Sequence, residues 1–185
     1  MGSLSTAIQS NLTESLRFLE WLRPGGPWVL TAIPPERGSG RIETATLTDP
    51  EAVGRWLEAR SGKLNCYFMV NPARSALSSK ASKEDVEEFA MLHVDVDPRK
   101  GEDLAKEQAR ALKVLEDFSP SPSAIIFSGG GYQGFWKLDD PLFVGGDQTR
   151  VAEYEAYNRQ LEIVLGGDHC WNIDRIMRIP GTVNV

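Results

Sequence analysis

The chain has 185 residues, of which 41% are hydrophobic and 25% charged, a balance that suits one globular domain with its own core rather than a disordered segment. Its net charge of −6 argues against a nucleic-acid binder that relies on overall basicity, though not against an enzyme that gathers acids at its site and bases along one groove. No apolar run is long enough to span a membrane, and Met1-Gly2-Ser3-Leu4-Ser5 has neither the basic leader nor the apolar core of a signal peptide.

Residues 10–23 place Leu12, Leu16, Leu19 and Leu22 at helical spacing, and Pro24-Gly25-Gly26 stops that helix. Trp28 to Ile33 and Arg41 to Leu47 read as strands on either side of a polar loop. Asp49-Pro50 is a capping acid followed by proline at the first helical position, and opens a helix to about Arg60. Leu64 to Val70 is a buried strand in which Cys66 is expected as an inert thiol. The two cysteines have no C-x-x-C spacing, so a reduced cytoplasmic setting is expected.

Residues 71–83 form a loop with Arg74, Lys80 and Lys83, which suits a solvated surface or a basic flap over an anion. Ser82 and Asp85 can cap a short helix through Phe89. From there the pattern is regular: a strand at 91–97, a helix at 102–118, strands at 123–128 and 133–138, a helix at 148–165 begun by Asp147 and ended by Gly166-Gly167, and a strand at 173–179.

Within the first of these strands, Leu92-His93-Val94-Asp95-Val96-Asp97-Pro98 puts Asp95 and Asp97 on one face and the valines on the other. Like charges side by side repel and are expensive to bury, so a hard divalent cation is the usual reason to keep them. Alone, so short a motif also suits a solvated strand end. The element order supplies context. It is β-α-β-β-α-β, an α+β arrangement of the RRM or ferredoxin-like kind. In that topology the strand at 173–179 lies beside the strand at 91–97, which brings Asp174 to Asp95 and Asp97. Three carboxylates at one sheet edge suit a two-metal site. Gln133, Phe135 and Lys137 would then line an open cleft floor, with the helices on the opposite face.

The turn Ser128-Gly129-Gly130-Gly131 offers backbone N–H groups and a hydroxyl to phosphate, although no Gly-Lys-Ser/Thr follows to make it a P-loop. His93 is expected to be a satisfied structural residue. Asp168-His169-Cys170 matches no standard zinc spacing and is expected to be a loop. Trp136 is expected in the core or a groove wall.

Three segments together resemble the archaeo-eukaryotic primase superfamily, in its primase-polymerase branch of plasmid, phage and mobile-element replication proteins. They are the hydrophobic D-x-D at 92–98; Phe127-Ser128-Gly129-Gly130-Gly131-Tyr132-Gln133-Gly134-Phe135-Trp136-Lys137-Leu138; and Asn172-Ile173-Asp174-Arg175-Ile176-Met177-Arg178-Ile179-Pro180-Gly181-Thr182-Val183-Asn184. The match covers about residues 65–185. The resemblance implies one prim-pol domain over 1–185: an N-terminal α/β part (10–70) forming the second wall of a cleft, a basic loop and short helix (71–90), and an RRM-like catalytic part (91–185). It implies a DNA primase or polymerase in which Asp95, Asp97 and Asp174 hold two Mg²⁺ or Mn²⁺ ions, while Ser128, Gly129, Gly130, Gln133 and Arg178 bind the nucleoside triphosphate. Single-stranded or primer-template DNA, and helical or helicase parts of a larger replication protein, are the implied partners. The family usually has His where Gln133 stands. That departure keeps open a catalytically inactive DNA-binding module, and the acids alone would also suit a metal-dependent phosphodiesterase.

Overall fold

The computed structural model describes residues 11–36 and 38–185. Residue 10, where the sequence begins its first helix, and Met1–Ser5 lie outside them. Four helices and seven strands are present among the described residues: α1 (Leu12–Leu22), β1 (Trp28–Ile33), β2 (Glu43–Leu47), α2 (Pro50–Glu58), β3 (Asn65–Met69), β4 (Glu88–Val96), α3 (Leu104–Glu116), β5 (Ala124–Phe127), β6 (Tyr132–Phe143), α4 (Gln148–Leu165) and β7 (Ile176–Arg178). The class is α+β with two antiparallel sheets. One runs β2-β1-β3-β7 and the other β4-β6-β5.

Local chemistry explains the helix starts. Asn11, Asp49, Asp103 and Asp147 each accept backbone N–H groups of the first helical turn, which are otherwise unpaired. Gly166 ends α4 in the left-handed conformation (φ 65°). The helix expected to run through Phe89 is only a single 3₁₀ turn at Lys83–Asp85, because Glu88 and Phe89 already pair with Phe143 and Leu142 of β6.

The main core joins the two sheets. Phe18 of α1 sits between Phe68 of β3 (4.9 Å between ring centroids) and Phe135 of β6 (6.3 Å), which are themselves 5.8 Å apart. Phe135 is fully buried and Gln133 nearly so. The face expected as an open cleft floor is therefore closed by α1 and the first sheet, since Phe68 and Phe135 bury more apolar area against each other than either would facing water. The opposite face, with Val94, Val96 and Trp136, packs on Ala111 and Leu115 of α3 and Leu165 of α4.

The order β4-β6-β5 agrees with the expected arrangement of three strands, but the fourth is elsewhere. β7 pairs with β3, with Tyr67 opposite Arg178. The outer edge of β4 is already occupied. Asn71 Oδ1 accepts from the N–H groups of Ala90 and Met91, and Asn158 Oδ1 accepts from His93 N–H at 3.1 Å. Asp168 N–H then donates to Asp95 O at 2.8 Å. With those backbone groups satisfied, no ladder is left there for β7 to extend.

Candidate functional site

Asp95 is the penultimate residue of β4 and stands opposite Gln133 of β6. Gln133 Nε2 donates to Asp95 Oδ2 at 3.4 Å. The other oxygens of this pair, Asp95 Oδ1 and Gln133 Oε1, are buried without a protein partner. Burial first, then the neighbouring Asp97 charge, pushes the Asp95 carboxyl up to about 6, against the pull of Gln133 and Arg175. Asp97 lies just past the strand. Burial raises its carboxyl as well, and so does a direct carboxyl–carboxyl hydrogen bond with Asp168. Two carboxyls within hydrogen-bond reach of each other, next to a third with an orphaned oxygen, suit a positive charge.

Asp168 is the residue that sequence reasoning passed over. Strand order pointed to Asp174 instead, through a pairing of β7 with β4 that does not form. Asp174 lies in the turn before β7, where its Oδ1 accepts from Asn172 Nδ2 at 2.8 Å, and its charge is felt at His93. Asp168 reaches β4 because Gly166 ends α4 sharply and Gly167 passes close to Asp95 O and the Val94 side chain. The available signal was an acid two residues past a helix-ending glycine. Arg175, also not foreseen, places a cation near Asp95 and His93, and its Nε is buried without a partner.

His93 is structural, as expected. Its Nε2–H donates to Cys170 O at 2.8 Å, and Nδ1 accepts from Asn158 Nδ2 at 3.3 Å, which fixes the neutral tautomer. Burial lowers its pKa to about 4. Trp136 is buried and donates to Pro120 O, and both cysteines are buried free thiols. In the loop at 71–83, Lys83 is paired with Glu155 at 2.7 Å and Arg74 with Glu87 at 3.5 Å, so two of its three cations are engaged.

The glycine turn adjoins the acids. Ser128 N–H donates to Gly131 O (3.0 Å), and Gly131 N–H donates back to Ser128 Oγ (3.2 Å), closing the β5–β6 hairpin. A Cβ at Gly131 would collide with Val96 O and lie 2.8 Å from Asp97 Cα, so glycine is what lets the turn lie against the acid-bearing strand. Gly129 has φ +100° and sits against Asn184. From Ser128 and Gly129 a cavity of about 580 Å³ opens between the β5 end and the tail after β7, lined also by Arg178, Thr182 and Asn184. Arg178 is held there by Asn65 Oδ1 (2.8 Å) and the Tyr67 hydroxyl (3.2 Å). Ser128, Gly129 and Arg178 are thus brought together. Gln133 and Gly130 are not part of that lining. Gln133 faces Asp95, and Gly130 O accepts from Gln108 of α3.

Among the described residues no group of three or more His, Cys, Asp or Glu side chains converges closely enough to hold a metal ion. The acids meet in pairs. Their chemistry still fits a hard cation: all donors are oxygen, one is orphaned, and the Asp97 and Asp168 carboxyls lie within reach of each other.

The AEP domain of the Cyanophage S-2L primase-polymerase matches this structure with a TM-score of 0.66, over 95% of this chain and 84% of its own, at 20% identity. The chain has the archaeo-eukaryotic primase fold. Primase RepB′ matches 94% of the chain with a TM-score of 0.58 at 14% identity, and the chain spans about half (51%) of that structure. The catalytic domain of RepB′ in complex with initiator DNA matches 94% of the chain and 78% of its own length, with a TM-score of 0.56 at 16% identity. At these identities the likeness is one of fold. No family model matches the chain. A local similarity, 37% identical over 62 residues, links 31% of the chain to a probable outer membrane protein, pmp6, of Chlamydia pneumoniae, of whose length it spans 5%. No described helix is long and apolar enough to cross a membrane.

Proposed function

We propose that this protein is a DNA-directed primase-polymerase that joins nucleoside triphosphates on a DNA template. The observation that carries this reading is the half-buried Asp95 with the exposed Asp97 and Asp168 close to it, beside a phosphate-sized glycine turn, within a primase-polymerase fold. Asp95 and Asp97 would hold a divalent cation, Mg²⁺ or Mn²⁺. Asp168 is the third acid in their reach, and Asp174 is retained as a candidate for a second ion. Once bound, the cation supplies a lower pKa at the attacking 3′-hydroxyl and charge neutralisation at the triphosphate. The N–H groups and hydroxyl of the Ser128–Gly131 turn would bind phosphate oxygens. Arg178, its guanidinium oriented by Asn65 and Tyr67, would hold the remaining phosphate charge in the cavity.

Primer extension with Mg²⁺ or Mn²⁺ tests this, comparing wild type with Asp95→Asn/Asp97→Asn. Extension by the wild type alone is expected, and equal signals from both would sink the polymerase reading. Gln133 favours one alternative. It is turned toward Asp95 and away from the cavity, which suits a prim-pol-like module that binds DNA with little catalysis. That alternative predicts DNA binding by both proteins and incorporation by neither.

A further inference from the structure

One turn of α3 touches both halves of the candidate site. Glu107 is buried, yet its carboxylate binds two arginines. Oε2 accepts from Arg99 N–H (3.0 Å), Arg99 Nε (3.0 Å) and Arg110 Nε (2.8 Å), and Oε1 accepts from Arg99 Nη2 at 2.6 Å. Arg110 Nη2 in turn donates to Asp97 O at 3.1 Å. The neighbouring Gln108 Nε2 donates to Gly130 O at 2.9 Å. Arg99, through its backbone and side-chain hydrogen bonds, holds the Glu107 carboxyl down at about 2, so it stays charged at any working pH.

We propose that Glu107 is a positioning residue of the acid site: through Arg99 and Arg110 it fixes the chain at Asp97, while Gln108 beside it fixes the glycine turn. This rests on Asp97 belonging to a cation site. The physical need is clear. The segment Asp97-Pro98-Arg99 has left the β4–β6 ladder, and Gly129-Gly130 has no side chains to anchor it. Without a brace the Asp97 segment would wander by more than a cation's ligand shell tolerates, and the glycine turn by more than a phosphate contact tolerates. Glu107 also occupies both guanidinium groups. Without that partner, Arg110, already bonded to the Asp97 carbonyl, would be drawn to the Asp97 carboxylate and cover the oxygens a cation needs.

The test titrates Mn²⁺ into the full chain calorimetrically and follows amide hydrogen exchange without metal at 97–99, where Asp97 and Arg99 carry the N–H groups, and at 129–131. Glu107→Gln and Arg110→Ala are expected to weaken Mn²⁺ binding about tenfold or more. They should speed exchange at 97–99 while circular dichroism stays native. Gln108→Ala should speed exchange at 129–131 and leave Mn²⁺ affinity unchanged. Glu107→Gln/Arg110→Ala should bind Mn²⁺ more tightly than Glu107→Gln alone, because the Arg110 guanidinium that would cover Asp97 is gone. Native exchange at 97–99 in folded Glu107→Gln and Arg110→Ala overturns the proposal, as does wild-type Mn²⁺ affinity in both. A wild type that binds no Mn²⁺ overturns the cation-site reading, and with it the positioning role of Glu107, whereas the exchange data still show whether the brace exists.

Discussion

Replacing Asp95 with Asn removes a charge from the place where the fold least tolerates one. The Asp95 carboxyl is pushed up to about 6 from an ordinary 3.8. A folded pKa above the unfolded one means that the native state binds more protons between those values, so the stability contributed is complete below about pH 4 and is lost as the pH rises through 6. At about pH 7.5 the ionised carboxylate therefore costs the fold roughly 2–3 kcal/mol, allowing for its partial contact with solvent. Asn keeps the shape, and its amide can donate to the orphaned Gln133 Oε1. Urea unfolding in the presence of a chelator should show Asp95→Asn more stable than wild type by roughly that amount at about pH 7.5. The advantage should shrink as the pH falls and vanish below about pH 4. Mg²⁺ or Mn²⁺ should raise the wild-type midpoint and leave the variant's unchanged, since a ligand of the native state stabilises only the protein that binds it. An Asn variant that is less stable at pH 7.5 without metal, or an advantage that does not change with pH, would refute the reasoning.

Gly131→Ala must push Val96 O and the Asp97 backbone aside, and should cost about 1–3 kcal/mol in urea unfolding as well as primer extension; an unperturbed variant would mean that the turn does not press on the acid strand. Arg178→Lys keeps the charge but loses the fork held by Asn65 and Tyr67, so the KM for triphosphate should rise about tenfold with kcat little changed. His93 has its folded pKa lowered to about 4, so its contribution to stability is complete above about 6.5 and is lost as the pH falls toward 4. Its imidazole NMR shifts should accordingly stay flat from pH 8 to pH 5, and a midpoint near 6.5 would contradict the buried neutral tautomer. Gln133→His places an imidazole against Asp95 rather than in the cavity, so triphosphate affinity measured by calorimetry should barely change; a marked tightening would put position 133 on the phosphate.

Local chemistry made much of the protein legible from its sequence. The capping acids Asp49, Asp103 and Asp147 marked where helices start, because the side chain that satisfies the first N–H groups must be next to them in the chain. Strand parity put Asp95 on the face opposite Val94 and Val96, and the structure agrees. The D-x-D, the glycine turn and Arg178 stood out as candidates because each lies in a short contiguous motif. Tertiary structure decided which acid lies near Asp95 and Asp97. Strand order favoured Asp174, but Asn71, Asn158 and Asp168 satisfy the outer edge of β4 with bonds made across long sequence separations, and β7 goes to β3 instead. Glu107 was hidden differently. Arg110 is its i+3 neighbour on α3, an ordinary helical ion pair, and only the fold-back of the segment after β4 onto α3 brings Arg99 to Glu107 and Arg110 to the Asp97 carbonyl. Backbone conformation depends on near neighbours and can be read along the chain, whereas the partner of a buried charge depends on which surfaces meet, and that is settled only when the whole core closes.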